Sequence, residues 1–499
     1  MRLTKVLVAN RGEIAVRVIR ACRDAGLRAV AVYSDADRDA LHVRLADEAY
    51  PIGPAPATES YLLGDKLIAV ARRAGCDAVH PGYGFLSEDA GFAEAVTVAG
   101  LVFVGPPAEV QRRLGDKAAA RRLARDVGVP VATGTFEPVG DLAAARSAAN
   151  EVGYPVILKP AGGGGGKGMR IVATAAGLAE AWRGATGEAQ GVLGAPAALV
   201  VERYIGAARH IEVQLVADDH GAIVPLGERD CSIQRRYQKL IEETPGPSVD
   251  ATLRERLFDA AVKVARAAGY RNAGTVEFLV EPDGSFVFLE VNTRLQVEHP
   301  ITELVTGLDL VLLQLRLAAG EPLPFAQADV RASGAAIECR ITAEDPFSGF
   351  LPAAGIIAAV REPSGPGVRL DGALVPGMLV ATEYDPLLAK LVTWGVDRPA
   401  ALAHMRRALG EMIVAGIPTT LPFHRATLAE SDFVAGRYDT GYIAAHWPRE
   451  AELGEGATIA AAIIAVLASR SSFLMTPATG TDVAATGAWA RAARLDGLR

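Results

Sequence analysis

Phe288 to Pro300 reads FLEVNTRLQVEHP, and the rest of the chain can be placed around it. Taken as an extended strand, it turns Glu290, Asn292, Arg294, Gln296 and Glu298 to one side and Leu289, Val291, Thr293, Leu295 and Val297 to the other. The first face holds two carboxylates, a guanidinium and two amides, far more polarity than a half-buried strand needs for solubility. Just upstream, GTVEFLVEPDGSFVFLE (Gly274 to Glu290) reads as two strands joined at Asp283-Gly284, a dipeptide favoured in two-residue hairpin turns. Such a turn puts Pro282 opposite Ser285 and therefore Glu277 opposite Glu290. Like charges about 5 Å apart at the β-carbons destabilise a sheet unless something neutralises them. A hard divalent cation does so with oxygen ligands, and Mg²⁺ takes one or two carboxylates plus substrate phosphates. Two glutamates facing water are the plainer alternative; Asn292 and Arg294 beside them favour the metal.

The composition leaves room for such a site. With 499 residues the chain is long enough for two to four domains and a large core. Its 51 basic and 58 acidic residues give a net charge of -7, so bulk electrostatics offers no reason to expect a nucleic-acid partner. Cys22, Cys76, Cys231 and Cys339 are scattered without a C-x-x-C pair, the pattern of buried thiols in a reducing cytoplasm. The start, MRLTKVLVANRGE, reads as a strand and polar loop and lacks the apolar core of a signal peptide. The apolar run Ile459 to Ala468 is shorter than the roughly 20 residues of a membrane span. A cytoplasmic protein without a membrane span is expected.

In chain order, a strand (Lys5 to Ala9), a loop (Asn10 to Gly12), a helix (Glu13 to Ala25) and a strand (Arg28 to Tyr33) form a βαβ unit. This predicts an α/β fold with an N-terminal doubly wound parallel sheet. Its loop reads NRGE, not G-x-G-x-x-G, which weakens a dinucleotide reading. The alternation continues through Leu67 to Ala74 and Ala78 to His80. HPGYGFLSE (His80 to Glu88) then follows a strand at its carboxyl end, where open α/β sheets bind ligands. Gly115-Asp116-Lys117 opens a helix, and VGVPVATG (Val127 to Gly134) leads into a second small domain.

That domain carries YPVILKPAGGGGGKGMRIV, Tyr154 to Val172, in which five glycines, Gly162 to Gly166, lie between Lys159 and Lys167. Consecutive glycine N–H groups can wrap phosphate oxygens, so a lid over nucleotide phosphates is expected. AALVVERYIGAARHIEVQLVAD (Ala197 to Asp218) reads as two strands around a turn containing Gly206, with His210 opening the second. An adenine ring could pair with the backbone near Glu202 to Ile205. In RDCSIQRRYQKLIEETPGP, Arg229 to Pro247, the group Arg235, Arg236 and Lys239 is either a solvated charge run or an anion site. Thr302 to Ala319 reads as one apolar helix stopped by Gly320, with Pro322 and Pro324 marking a domain exit. A mixed segment runs from Gly334 to about His446 and sets Arg340 on an alternating strand; an alanine-rich tail follows Pro448.

Together ANRGEIAVRVIRA, HPGYGFLSE, LKPAGGGGGKGMR, ERDCSIQRRYQK, FLEVNTRLQVEHP, AIECRITAEDP and YDPLLAKL resemble the ATP-grasp fold. Within it, they resemble the biotin carboxylase subunit or domain of biotin-dependent acyl-CoA carboxylases, over about Lys5 to His446. The resemblance implies an N-terminal α/β domain (1–115), an ATP-grasp domain (116–330, lid about 131–205), a mixed C-terminal domain (331–447) and a tail or linker (448–499). It implies ATP contacts from Lys117, Lys159, Gly165, Gly166, Glu202, Arg203, Tyr204, Ile205 and His210, with Gln234 and Tyr237 near the nucleotide. Tyr237 stands where many members have histidine. Glu277 and Glu290 match metal ligands for Mg²⁺ or Mn²⁺, assisted by Asn292. Lys239, Arg294, Gln296 and Val297 match positions that hold bicarbonate, Glu298 matches the base that deprotonates it, and Arg340 matches the residue facing the biotin ureido oxygen.

The implied reaction is ATP- and bicarbonate-dependent carboxylation of biotin at N1′ through carboxyphosphate, giving ADP and phosphate. The implied partners are a biotin carboxyl carrier protein and a carboxyltransferase, in a homodimer or larger complex. No Met-Lys-Met occurs, so biotin is expected on another polypeptide, unless the sequence continues into a carrier domain. Two other functions remain open: an ATP-grasp ligase coupling a carboxylate to an amine, and a silent assembly protein.

Overall fold

The computed structural model describes residues 2–160, 168–193 and 198–447, with the side chains of 188–193 left out. The chain divides into two compact units, Met1–Pro448 and Arg449–Arg499, and the second lies outside the described residues, as do Gly162 to Gly166.

Strands β1 (Lys5–Val8), β2 (Arg28–Ser34), β3 (Glu48–Gly53), β4 (Ala78–His80) and β5 (Val102–Phe103) form a parallel sheet in the order β3-β2-β1-β4-β5. Central β1 is apolar on both faces, with Val6, Leu7 and Val8 all buried, as a parallel sheet covered on both sides requires. The chain leaves β1 toward β2 and later returns to its other side as β4, so a crevice opens at the carboxyl ends of β1 and β4. Asn10 closes its floor, with Nδ2 donating to the carbonyls of Pro81 and Tyr83 at 2.7 Å each. This anchors the loop that ends in Glu88.

A small antiparallel sheet, β6 (Val156–Pro160), β7 (Arg170–Val172) and β8 (Leu199–Arg203), runs in the order β7-β6-β8. The helices Leu142–Val152 and Leu178–Leu193 belong to the same body. The third sheet is antiparallel and has eight strands. It takes in β9 (Arg209–Ala217), β10 (Ile223–Arg235), β11 (Gln238–Thr244), β12 (Asn272–Val280), β13 (Phe286–Asn292) and β14 (Ala335–Thr342), then Val368–Gly372 and Leu387–Gly395. The order is β13-β12-β9-β10-β11-β14, then Leu387–Gly395 and Val368–Gly372. Pairing of β11 with β14, Ile241 opposite Cys339 and Glu242 opposite Glu338, carries one sheet across the loop around residue 330.

Four local expectations change. The two strands read in Ala197 to Asp218 are present, but β8 lies in the small sheet and β9 in the large one, so they do not pair. The apolar stretch Thr302 to Ala319 is two helices, His299–Thr306 and Leu310–Ala318. Gly307 at φ +71° ends the first, and the Asp309 side chain caps the second by accepting from the Leu312 N–H. The hairpin turn is one residue longer than Asp283-Gly284 suggests, because the Glu281 N–H bonds the Ser285 carbonyl. A bulge between Glu277 and Phe278 then shifts the register back, and Glu277 does stand opposite Glu290. Finally, β13 stops at Asn292, so Thr293 to Glu298 is not strand.

All four cysteines are buried free thiols. No helix among the described residues is long and apolar enough to cross a membrane.

Candidate active site

Across the large sheet a single row of side chains runs Glu290 (β13), Glu277 (β12), Glu212 (β9) and Arg229 (β10), each opposite the next. Three carboxylates abreast, with Glu212 and Glu277 buried, require cations within contact distance. Lys239, on β11, supplies the central one. Its Nζ lies 2.8 Å from Glu277 Oε1 and 2.7 Å from Glu298 Oε1, and it donates to Glu212 as well. Arg229 closes the row from the other end, its Nε donating to Glu212. At the outer end Lys117 Nζ stands 3.4 Å from Glu290 Oε2.

Having left the strand, residues 293 to 298 find their partners on other elements. Gln296 Nε2 donates to Glu277 Oε1 at 2.8 Å, and its Oε1 accepts from Arg229 Nη2 at 2.8 Å. Asn292 Nδ2 donates to the same Glu277 oxygen at 2.8 Å, while its Oδ1 accepts from Arg294 Nη2 at 2.8 Å. Arg294 Nε reaches Glu88 Oε2 at 3.1 Å, bringing the HPGYGFLSE loop to the site. Glu298 caps the cluster: Arg340 Nη2 donates to its Oε2 at 2.9 Å, and Arg340 Nε donates to Glu242. The expected polar row thus meets at one place, but through a turn packed on the sheet rather than through a strand face.

The remaining residues divide. Lys159 Nζ is 2.6 Å from Glu202 Oε2, and Arg121 Nη1 is 3.2 Å from its Oε1. His210 Nε2 is 2.9 Å from Glu277 Oε2, with Gln234 Nε2 3.4 Å from its Nδ1. Arg203 turns outward to Glu281, whereas the Tyr204 N–H bonds the Pro155 carbonyl and Ile205 is buried. Arg236 and Tyr237, at φ +48° and +66°, form the two-residue turn between β10 and β11 and point to solvent. Arg235 lies over the Phe350 ring. Arg235, Arg236 and Lys239 therefore do not converge into one anion site: Lys239 stands opposite Gln234, which puts Arg235 on the other face of the sheet, and Arg236 lies in the exposed turn itself. Gly165 and Gly166 lie outside the described residues.

Arg229 and Glu212 were absent from the sequence-derived site. The signal for Glu212 is the alternation of His210, Glu212 and Gln214 with Ile211, Val213 and Leu215, the same period that singled out Glu290 and Asn292.

Burial opposes charge on Glu298, but Lys239 first, then Arg340 and Arg229, hold its carboxyl well below the usual range. Glu277 is also held low against burial, by Lys239 and His210. Behind Arg340 the balance reverses. Burial pushes Glu242 up to about 7 and Glu338 well above 4.5, and no hydrogen bond reaches Glu242 Oε2 or either Glu338 oxygen among the described residues. Glu242 faces Glu338 across β11 and β14, and with its carboxyl pushed up to about 7 it holds in the native state a proton that the unfolded chain releases near pH 4.5. Stability contributed by that proton is fully present below pH 4.5 and is lost as pH rises through about 7. Glu242→Gln is expected to flatten this decline. Thermal melts at pH 5, 7 and 8.5 measure it; an unchanged slope would show that the pair does not titrate there.

The donor set also bears on metal binding. Among the described residues, two sets of three ligand atoms lie within 4.8 Å of one another: His210, Glu212, Glu277 and Glu212, Cys231, Glu298. Lys239 bonds a carboxylate in each, so a cation already fills them. Among the described residues Glu290 makes only the longer Lys117 contact, and beside it Glu277, which Lys239 and His210 also hold, and the Asn292 amide oxygen are hard oxygen donors of the kind Mg²⁺ takes.

A parallel sheet, a small three-stranded body and a carboxylate row on a large antiparallel sheet put the molecule in the ATP-grasp class of ligases. Residues 116–326 match the family model of the carbamoyl-phosphate synthase L chain, ATP binding domain. On either side, residues 2–111 match the biotin carboxylase N-terminal domain and 338–445 the biotin carboxylase C-terminal domain. Biotin carboxylase 1 of Bacillus subtilis is 48% identical over 442 residues, 88% of this chain and 98% of the relative. The biotin carboxylase of Pseudomonas aeruginosa is likewise 48% identical over 442 residues, 88% of this chain and 98% of the relative. A crystal structure of the biotin carboxylase domain dimer of Hydrogenobacter thermophilus 2-oxoglutarate carboxylase, with MgADP, ADP and bicarbonate, superposes with a TM-score of 0.87 at 42% identity. That match covers 89% of this chain and 98% of the other. The chain belongs to the biotin carboxylase family.

Proposed function

We propose that this chain carboxylates biotin at N1′ with ATP and bicarbonate, the biotin being carried by a biotin carboxyl carrier protein and passed on to a carboxyltransferase. The observation that carries this most directly is the convergence of Lys239 and Arg340 on the buried Glu298 carboxylate, with Arg294 held beside them through Asn292. Bicarbonate is a weak nucleophile, and a fixed carboxylate that takes its proton beside two fixed cations improves both its nucleophilicity and its aim.

Glu298 is ionised as this role requires, but its cations also make it a poor proton acceptor. A bound bicarbonate would take Lys239 and Arg294 as donors; sharing Lys239 weakens that lysine's hold on Glu298 and raises its proton affinity where the proton arrives. Gln296 and the Val297 backbone complete the anion site. Lys117, Lys159, Gly165, Gly166, Glu202 to Ile205, His210, Gln234 and Tyr237 take the nucleotide. Glu277 and Glu290, assisted by Asn292, would hold Mg²⁺, which when bound offsets charge on the ATP phosphates. Arg340 donates to the ureido oxygen as charge builds there, and Glu242 keeps its guanidinium aimed.

The test is phosphate release from MgATP by the purified chain, with bicarbonate and free biotin each supplied or withheld. Release that rises only with both supports biotin carboxylation. Release indifferent to biotin but stimulated by an amine acceptor would replace this reading with another ATP-grasp ligase.

A further inference from the structure

YDPLLAKL, Tyr384 to Leu391, enters the strand Leu387–Gly395, and none of its side chains has a part in the chemistry above. Its Lys390 is fully buried at 0% exposure and stands directly opposite Arg340 on β14. Side chains paired in this way leave a sheet on the same face. Both reach the same short segment. Arg340 Nη2 holds the Glu298 carboxylate at 2.9 Å, and Lys390 Nζ donates to the Val297 carbonyl at 2.9 Å. Two cations on adjacent strands therefore grip consecutive residues of a segment that has left β13 and has no ladder of its own.

The ammonium is offset by Glu13 Oε1 at 3.4 Å, from the helix Gly12–Asp24, and by Asp371 Oδ2 at 3.9 Å, with the Tyr83 ring centroid at 5.7 Å. Burying a lysine and its counter-ions is costly where an apolar chain of equal volume would pack. What the lysine adds is the bond to Val297, the peptide immediately before the proposed base. We infer that Lys390 is a positioning residue: by holding the Val297 carbonyl it fixes the Val297–Glu298 peptide plane and so aims the Glu298 carboxylate at bicarbonate. This rests on bicarbonate binding at Arg294 to Glu298.

Three variants of the full chain test it, each measured for thermal melting, MgADP binding and the bicarbonate and ATP dependence of phosphate release. Lys390→Met is expected to lower kcat/KM for bicarbonate on the order of 100-fold, with the MgADP dissociation constant within about threefold of the parent. Lys390→Met leaves Glu13 as an unpaired buried carboxylate, so the variant also melts lower. Adding Glu13→Gln removes that carboxylate without restoring the bond to Val297. The double variant is therefore expected to melt near the parent while its bicarbonate constant stays poor. Recovery of the bicarbonate constant along with stability overturns the inference, as does a folded single variant with unchanged bicarbonate kinetics. If neither variant folds, Lys390→Leu combined with Glu13→Leu decides: it removes the donor and its counter-charge together in favour of apolar packing, and unchanged bicarbonate kinetics there overturn the inference. Glu298→Gln run alongside separates the two levels. Normal bicarbonate constants in Glu298→Gln would sink the site reading itself, whereas a defect there with none in the Lys390 variants sinks only the role of Lys390.

Discussion

Glu298→Gln is expected to lower bicarbonate-dependent phosphate release by on the order of 10³-fold, while MgADP and ATP still bind. The size follows from removing a positioned base from a step that needs one. Retention of nucleotide binding follows from the contacts that remain. Without the Glu298 charge, Lys239 keeps Glu212 and Glu277, and Arg340 keeps Glu242, so neither cation is stranded. The amide fits the same volume, and its oxygen can still accept from Arg340. The measurement is single-turnover phosphate release across a range of bicarbonate concentrations, beside nucleotide titration by calorimetry. Turnover within tenfold of the parent would remove Glu298 from the chemistry; loss of nucleotide binding would show that it holds the site together instead.

Arg229→Met is expected to cost about 3–5 kcal/mol of stability, the scale of breaking a buried ion pair from one side. Arg229 is at 0% exposure, and all of its donor nitrogens are engaged. Nη1 bonds Gln214 Oε1 at 2.8 Å and Thr302 Oγ1 at 2.9 Å, and Nη2 bonds Thr275 Oγ1 at 3.1 Å and Gln296 Oε1 at 2.8 Å. Replacing it strands Glu212 in the sheet interior with only Lys239, which already serves two other carboxylates. Adding Glu212→Gln should return much of the loss, because the amide needs hydrogen bonds but no counter-charge. Urea unfolding of the two single variants and the double variant gives the coupling energy. A coupling near zero would mean that Arg229 acts on the amides and hydroxyls around it rather than on Glu212.

Much of this was legible in the chain itself. Alternation in the segments around Glu277, Glu290 and His210, and the βαβ spacing of residues 5 to 34, follow from side-chain geometry that one strand or helix imposes by itself. The Glu277–Glu290 pairing was legible too, although a three-residue turn and a bulge had to cancel for the simple count to hold. The motifs carried family membership, since several short patterns in fixed order leave few alternatives.

What local periodicity could not set out was how Lys239, Glu298 and Arg340, grouped through the family resemblance alone, come to meet one another and Arg229. Lys239 and Arg340 come together because β11 pairs with β14 across about a hundred intervening residues, and local periodicity does not encode which distant strands pair or in what register. The same limit explains the polar row after Asn292. Read alone, it has a strand's period; in the folded chain, Arg294, Gln296 and Glu298 leave the ladder because their hydrogen-bonding partners stand on four other segments, and only tertiary packing brings those within reach.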